Sequence, residues 1–212
     1  MKHAALFDLD GVLVDTEGQY TQWWQEVGRH DFPDQPTFAH DIKGQTLTQI
    51  CHKYYADDAE APARLAQGLA VFEKHMHFPF VPGAMAFVDA LRQAGVGVAV
   101  VTSSNHAKMA CLYAAHPDFS AHFDRIFTAE DALRSKPAPD CYVTAARYFG
   151  LDPTACFVFE DSVNGLIAGR DSGATVVGVT TTHHEDVVAR YSAYVIPHFE
   201  GMTVQQMLNL KH

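Results

Sequence analysis

The chain is poor in positive charge, poor in cysteine and free of long apolar runs. Its 15 Lys and Arg face 25 Asp and Glu, for a formal charge of −10. That balance argues against non-specific binding to nucleic acid or to an anionic membrane, both of which need basic surface. A small phosphorylated molecule at a locally positive site stays open. The cysteines, Cys51, Cys111, Cys141 and Cys156, are widely spaced and form no CxxC pair. A zinc ribbon or a redox dithiol is therefore not expected, and reduced thiols in the cytoplasm are. No stretch of about 18 apolar residues occurs, so no transmembrane helix is expected. The first carboxylate, Asp8, comes too early for a secretory signal. What is abundant is apolar surface: 48% of the 212 residues are hydrophobic, 14 of them Phe. A chain of this size buries roughly 70% of its unfolded surface without disulfides, and its composition excludes intrinsic disorder.

The apolar run Ala4-Ala5-Leu6-Phe7 ends at Asp8 and predicts a buried strand, with Gly11 in the following loop. Residues 16–80 then read as helical. Tyr20, Trp23, Trp24 and Val27 keep an i, i+3, i+4, i+7 spacing, and Pro33 and Pro36 interrupt it. Thr46-Leu47-Thr48-Gln49 predicts a capping box opening a helix through Tyr55, and a further helix is predicted from Ala61 to His77. Beyond Val81-Pro82-Gly83 strands and helices alternate. Strands are predicted at Val96–Val101, Arg125–Thr128, Phe157–Phe159, Thr175–Val179 and Tyr194–Ile196. Helices are predicted at Met85–Gln93, from His106, at Cys141–Phe149 and at Ser162–Ser172. The alternation predicts an α/β fold with a Rossmann-like, doubly wound parallel sheet. Its core comprises residues 1–15 and 81–212, and residues 16–80 form an inserted helical domain.

Polar groups gather beyond four predicted strand ends, where open α/β sheets bind ligands. Asp8 and Asp10 stand two residues apart and can lean to one side of the first strand. Two such carboxylates repel by roughly 4 kcal/mol at 4 Å and an effective dielectric near 20, which a cation must offset. Glu160 and Asp161 add a second acidic pair, and hard oxygens around one point suit Mg²⁺. Thr102-Ser103 offers a hydroxyl and backbone N–H groups near a helix start, and Lys136 offers a point charge. A carboxylate nucleophile, magnesium, a hydroxyl and a lysine together suit phosphoryl transfer. The pairs His75/His77 and His183-His184 have no metal-site partners nearby, and Trp23-Trp24 is expected to divide between core packing and the surface of the insert.

Four motifs carry a resemblance: Phe7-Asp8-Leu9-Asp10-Gly11-Val12-Leu13-Val14-Asp15-Thr16-Glu17, Val101-Thr102-Ser103-Ser104-Asn105, Ser135-Lys136-Pro137-Ala138-Pro139-Asp140 and Phe159-Glu160-Asp161-Ser162. In this order the chain resembles the haloacid dehalogenase superfamily of phosphatases, in the branch similar to β-phosphoglucomutase and phosphoglycolate phosphatase. The resemblance implies that Asp8 attacks phosphorus and forms an aspartyl-phosphate. It implies that Asp10 protonates the leaving oxygen and then activates water. Mg²⁺ would bind Asp8, the Asp10 carbonyl and Asp161, with Glu160 as a direct or indirect ligand. Thr102 and the Ser103 N–H would hold the phosphoryl group, and Lys136 would neutralise charge. The helical insert would be a mobile cap. Separately, Lys43 and Gln45 are candidates to contact the substrate, and Glu17 is a candidate to touch a substrate hydroxyl or the cap.

The chain departs from the mutase pattern at Leu47, where an arginine would bind a second phosphate, and at Tyr20, where a histidine would stand. Both departures favour hydrolysis. The expected enzyme is a cytoplasmic, Mg²⁺-dependent phosphatase, a monomer or a weak homo-oligomer, acting on a small phosphorylated metabolite such as a sugar or sugar-alcohol phosphate. Its rivals are a hexose-phosphate mutase, an inorganic pyrophosphatase and, remotely, a phospho-accepting signalling domain.

Overall fold

The computed structural model describes residues 2–210. Strand β1 (Ala4–Phe7) is wholly buried because it lies at the centre of a parallel sheet. Strands β2 (Gly97–Val101), β3 (Arg125–Phe127), β4 (Cys156–Glu160), β5 (Thr175–Val179) and β6 (Tyr194–Ile196) complete it in the order β3-β2-β1-β4-β5-β6. Every pairing is parallel. Strands covered on both faces have no solvent side to make polar, so the central ones read as unbroken apolar runs.

Alternate side chains of β1 point to opposite layers. Ala5 and Phe7 join the cluster that contains Phe87 and Leu91 of α5 (Ala84–Gln93), Met109 and Leu112 of α6 (His106–Ala115), and Met207 of α10 (Val204–Leu208). Phe7 stacks on Phe159 with ring centroids 4.6 Å apart. Ala4 and Leu6 join the opposite cluster, with Tyr142 and Ala145 of α7 (Asp140–Tyr148), Leu166 and Ala168 of α8 (Val163–Ser172), and Val188 of α9 (Glu185–Val188).

Between β1 and α5 the chain forms four helices: α1 (Glu17–Asp31), α2 (Phe38–Asp41), α3 (Leu47–Tyr54) and α4 (Ala61–Glu73). They have their own apolar centre, built from Trp24, Phe38, Ile42, Ile50, Tyr55 and Leu65 among others. The Thr46–Gln49 capping box closes the start of α3 as its sequence implies. Helix α4 stops at Glu73, short of the predicted His77, and α2, α9 and α10 are too short to leave a periodic signal. The insert sits over the carboxyl ends of the strands. Asn164 Nδ2 donates to the Gly44 carbonyl at 2.8 Å, and Gln49 Nε2 donates to the Lys136 carbonyl at 3.1 Å. Among the described residues no helix is long and apolar enough to cross a membrane.

Candidate active site

A cavity of about 320 Å³ lies between the sheet and the insert. Asp8, Asp10, Thr102, Ser103, Lys136 and Asp161 line its floor, and Glu17, Lys43, Gln45 and Leu47 line its roof. Glu160 is completely buried beneath the floor. The structure thus brings together nine of the ten singled-out site residues at the cavity surface, with the tenth just below.

Asp8 sits where β1 ends, and its backbone N–H still donates to the Phe159 carbonyl at 3.0 Å. That bond continues the ladder and fixes the carboxyl at the mouth of the sheet. Lys136 Nζ donates to Asp8 Oδ1 and Glu160 Oε1, both at 2.6 Å, and to the Val101 carbonyl at 2.9 Å. All three of its ammonium donors are used. Burial works against the charge of Lys136, but Asp8 and Glu160 outweigh it and hold the pKa well above the ordinary lysine value. Burial pushes the Asp8 carboxyl up to about 7, against the pull of Lys136.

Glu160 is held on both oxygens. Oε1 also accepts from the Tyr142 hydroxyl at 2.9 Å, and Oε2 accepts from the backbone N–H of Asp161 at 3.1 Å and of Ser162 at 3.2 Å. Asp161 is less well supplied. Its carboxylate accepts from the Thr182 hydroxyl, and burial, reinforced by Glu160, Glu17 and Asp8, raises its pKa well above the carboxylate range. Gly11, at φ +75°, lets this carboxylate approach: a Cβ there would stand 2.1 Å from Asp161 Oδ2.

One oxygen each from Asp8, Glu160 and Asp161 lies within 4.8 Å of the others. One ammonium serves Asp8 and Glu160, and among the described residues Asp161 has no cationic partner. The donor set is all oxygen and its charge is incompletely balanced, so it fits a hard divalent cation such as Mg²⁺. Because Glu160 is spent on Lys136, Tyr142 and the α8 start, Asp8 and Asp161 are the carboxylates best placed to hold it. No histidine joins this group among the described residues. His75 Nδ1 instead lies 2.9 Å from the Val71 carbonyl.

Asp10 is held from three sides. Thr16 donates its hydroxyl to Oδ1, while Ser104 Oγ lies 3.0 Å and Lys108 Nζ 2.5 Å from Oδ2. Burial raises the pKa of Asp10, but Lys108 and the hydroxyls more than offset it, and the carboxyl lies below the usual range. The Thr102 hydroxyl accepts from the Ser104 N–H at 3.0 Å, which shapes the loop beside Asp10. Ser103 is exposed to the cavity. Lys43 Nζ reaches the Thr182 carbonyl at 3.5 Å, and Gln45 Nε2 donates to the Asp41 carbonyl at 2.7 Å. Burial raises the pKa of Glu17. Trp24 is buried in the insert and lines the cavity, while Trp23 stacks on Phe72.

Sequence reasoning missed Lys108, Tyr142 and Thr182. A faint signal existed for Lys108, which stands between Ala107 and Met109, one turn before Leu112. A lysine on the apolar side of a helix needs a buried partner.

The family model for haloacid dehalogenase-like hydrolases matches residues 2–173. The validoxylamine A 7'-phosphate phosphatase of Streptomyces hygroscopicus subsp. limoneus is 30% identical over 89% of this chain and 91% of its own. Hexitol phosphatase A of Escherichia coli K12 is 33% identical over 82% of this chain and 81% of its own. In fold, the crystal structure of a family IA, variant 3 hydrolase from Entamoeba histolytica superposes with a TM-score of 0.85 at 21% identity, covering 98% of each chain. With the motifs, the sheet order and the family match in agreement, this chain belongs to the haloacid dehalogenase-like hydrolases.

Proposed function

We propose that the protein hydrolyses the phosphomonoester of a small hydroxylated metabolite, of the sugar or sugar-alcohol phosphate class, through a phosphoryl group carried on Asp8. The observation that carries this reading is the buried Asp8, Lys136 and Asp161 at the floor of the cavity, with Asp10 beside them. An Asp8 oxygen attacks phosphorus as the ester P–O bond breaks, and Asp10, having taken up a proton as the substrate binds, delivers it to the departing alkoxide. Asp10 then takes a proton from water, whose oxygen attacks phosphorus and releases Asp8. Lys136 fixes the position of Asp8 and pulls it toward the carboxylate form against the effect of burial. Thr102 and Ser103 line the space where the phosphoryl group would sit. Asp8, Asp161 and the Asp10 carbonyl would hold Mg²⁺, which supplies charge stabilisation at the phosphoryl oxygens.

Residues 16–80 act as a cap whose closure excludes bulk water. Its wall offers Tyr20, Thr21, Gln45, Glu17 and Glu73 to hydroxyl groups, and Trp24, Leu47, Ile50 and Leu69 to carbon. That wall is larger and more apolar than pyrophosphate needs. It also supports a hydrolase over a mutase, because Leu47 has no donor for a distal phosphate and Lys43 is only a point charge. The net charge of −10 supports a metabolite, rather than nucleic acid or membrane, as the partner of a cytoplasmic monomer.

The test is phosphate release from a panel of hexose, hexitol and pentose phosphates, phosphoglycolate and pyrophosphate with Mg²⁺ present. Mass spectrometry of acid-quenched enzyme follows in parallel. Release from the sugar or hexitol esters, with the phosphoryl label on Asp8 and absent in Asp8→Asn, supports the reading. Label on another residue of the Asp8→Asn protein overturns it.

A further inference from the structure

We propose that Lys108 is a positioning residue that orients the Asp10 carboxylate and transmits the position of the helical insert to it. The inference rests on the acid/base role of Asp10 given above.

Lys108 belongs to the sheet domain, on α6, and only 4% of it is exposed. Its ammonium makes an ion pair with Asp10 at 2.5 Å and no other ion pair among the described residues. A buried ammonium is expensive without a partner, so it cannot wander. Of the three groups on Asp10, Thr16 and Ser104 bring only hydroxyls. Lys108 is the one that brings charge, and it pulls on Oδ2 from the side away from the Thr16 bond.

The same ammonium lies 4.4 Å from the centroid of the Tyr20 ring. Tyr20 is part of the insert, on α1, and is fixed there on two sides. Its hydroxyl donates to Glu73 Oε1 of α4 at 2.8 Å, and its ring packs edge-on to Phe72 at 5.4 Å. Tyr20 therefore travels with the insert, whereas Lys108 and Asp10 stay with the sheet. With the insert seated, the ring covers Lys108 and keeps water from competing with Asp10 for the ammonium. With the insert lifted, Lys108 is hydrated and its hold on Asp10 weakens. Asp10 is thus correctly set only when the substrate is enclosed.

The competing role for Lys108 is to grip the substrate phosphate directly, and kinetics separate the two. The variants are Lys108→Met, Lys108→Arg, Tyr20→Leu and the Lys108→Met/Tyr20→Leu double, with Asp10→Asn as reference. Each is assayed for kcat, for KM and for inhibition by inorganic phosphate, with Mg²⁺ present. Lys108→Met is expected to lower kcat by about 10²-fold, the cost of roughly a 1 Å misplacement. Phosphate inhibition should stay within about twofold of the parent, since the group it removes binds Asp10 and not phosphate. Lys108→Arg should recover part of kcat. Tyr20→Leu should lower kcat, and the double variant should be no worse than Lys108→Met, because the two act through one contact.

Phosphate inhibition weakening in step with KM at unchanged kcat would make Lys108 an anchor and overturn the proposal. Losses that multiply in the double variant would remove the link to the insert. Should Lys108→Met fail to fold, Lys108→Arg and Tyr20→Leu decide, because loss of kcat in both at unchanged phosphate inhibition supports the role and full kcat in both overturns it. An active Asp10→Asn protein would bring down the acid/base reading itself. An inactive Asp10→Asn beside a fully active Lys108→Met would bring down only the role of Lys108.

Discussion

Gly165 lies directly against the Glu160 carboxylate: a side-chain carbon built on it would stand 1.8 Å from Glu160 Oε1. The first turn of α8 is bare at this point so that a buried acid can rest on it, accept from the Asp161 and Ser162 N–H groups, and still reach Lys136.

Gly165→Ala should therefore expel the Glu160 carboxylate, although alanine is ordinarily the better helix residue. Breaking the buried pair with Lys136 costs about 3–5 kcal/mol. Urea denaturation should show that loss together with a sharp drop in turnover. A variant as stable as the parent would show that Glu160 has another resting place.

Lys136→Met should remove the ammonium that separates Asp8 from Glu160. Two buried carboxyls then lack compensation, and a loss of about 3–5 kcal/mol is expected with no phosphoryl label on Asp8. Denaturation midpoints and acid-quench mass spectrometry measure the two effects separately. Normal labelling would mean that Lys136 is not needed to keep Asp8 a nucleophile.

Metal-free protein should lose stability as pH rises from about 4 to 7. The Asp8 carboxyl is raised to about 7 in the folded state, and burial raises Glu17 and Asp161 in the same direction. The native state thus binds more protons than the unfolded chain across this window, and that makes stability fall with pH. Lys136, whose pKa is also raised, stays charged in both states throughout and does not change the slope. Added Mg²⁺ should raise Tm more at pH 7.5 than at pH 5, because it binds the ionised carboxylates. Thermal scans in EDTA and in Mg²⁺ check this, and an equal shift at both pH values would contradict it.

β-Glucose 1-phosphate, with or without glucose 1,6-bisphosphate, should yield inorganic phosphate and no sustained glucose 6-phosphate. Leu47 lines the cavity and has nothing to hold the second phosphate while a bisphosphate turns over. A coupled glucose-6-phosphate dehydrogenase assay is decisive. Isomerisation faster than phosphate release would favour a mutase.

The sheet and the acidic floor of the site were legible in the sequence for one reason. Strands such as Ala4–Phe7 and Cys156–Glu160 are buried on both faces, so their ends stand out as the first polar residues after an apolar run. Asp8, Thr102 and the Glu160-Asp161 pair sit at such ends. Lys136 was legible only through its motif, because it comes from a turn. Lys108 was not legible as a site residue. It is one polar side chain on α6, and its partner Asp10 lies 98 residues away in the chain. Tyr142 and Thr182 were hidden in the same way, since their roles exist only through Glu160 and Asp161. The two oxygens of Glu160 show the limit from the other side: its position in the motif suggests a ligand, but its neighbours turn it toward Lys136.

The place of β1 in the sheet also dictates an order of assembly. Ala4–Phe7 leaves the ribosome ahead of its neighbours on either side, Gly97–Val100 and Cys156–Phe159. The strand that ends at Asp8 therefore waits until Gly97–Val100 and Cys156–Phe159 have been synthesised before its backbone can pair on both sides. Helices α1 to α4 follow immediately and have an apolar centre of their own, so they can compact first and tether the unpaired strand nearby. A central strand whose partners lie so far along the chain contributes long-range contacts, and contacts of that kind slow folding.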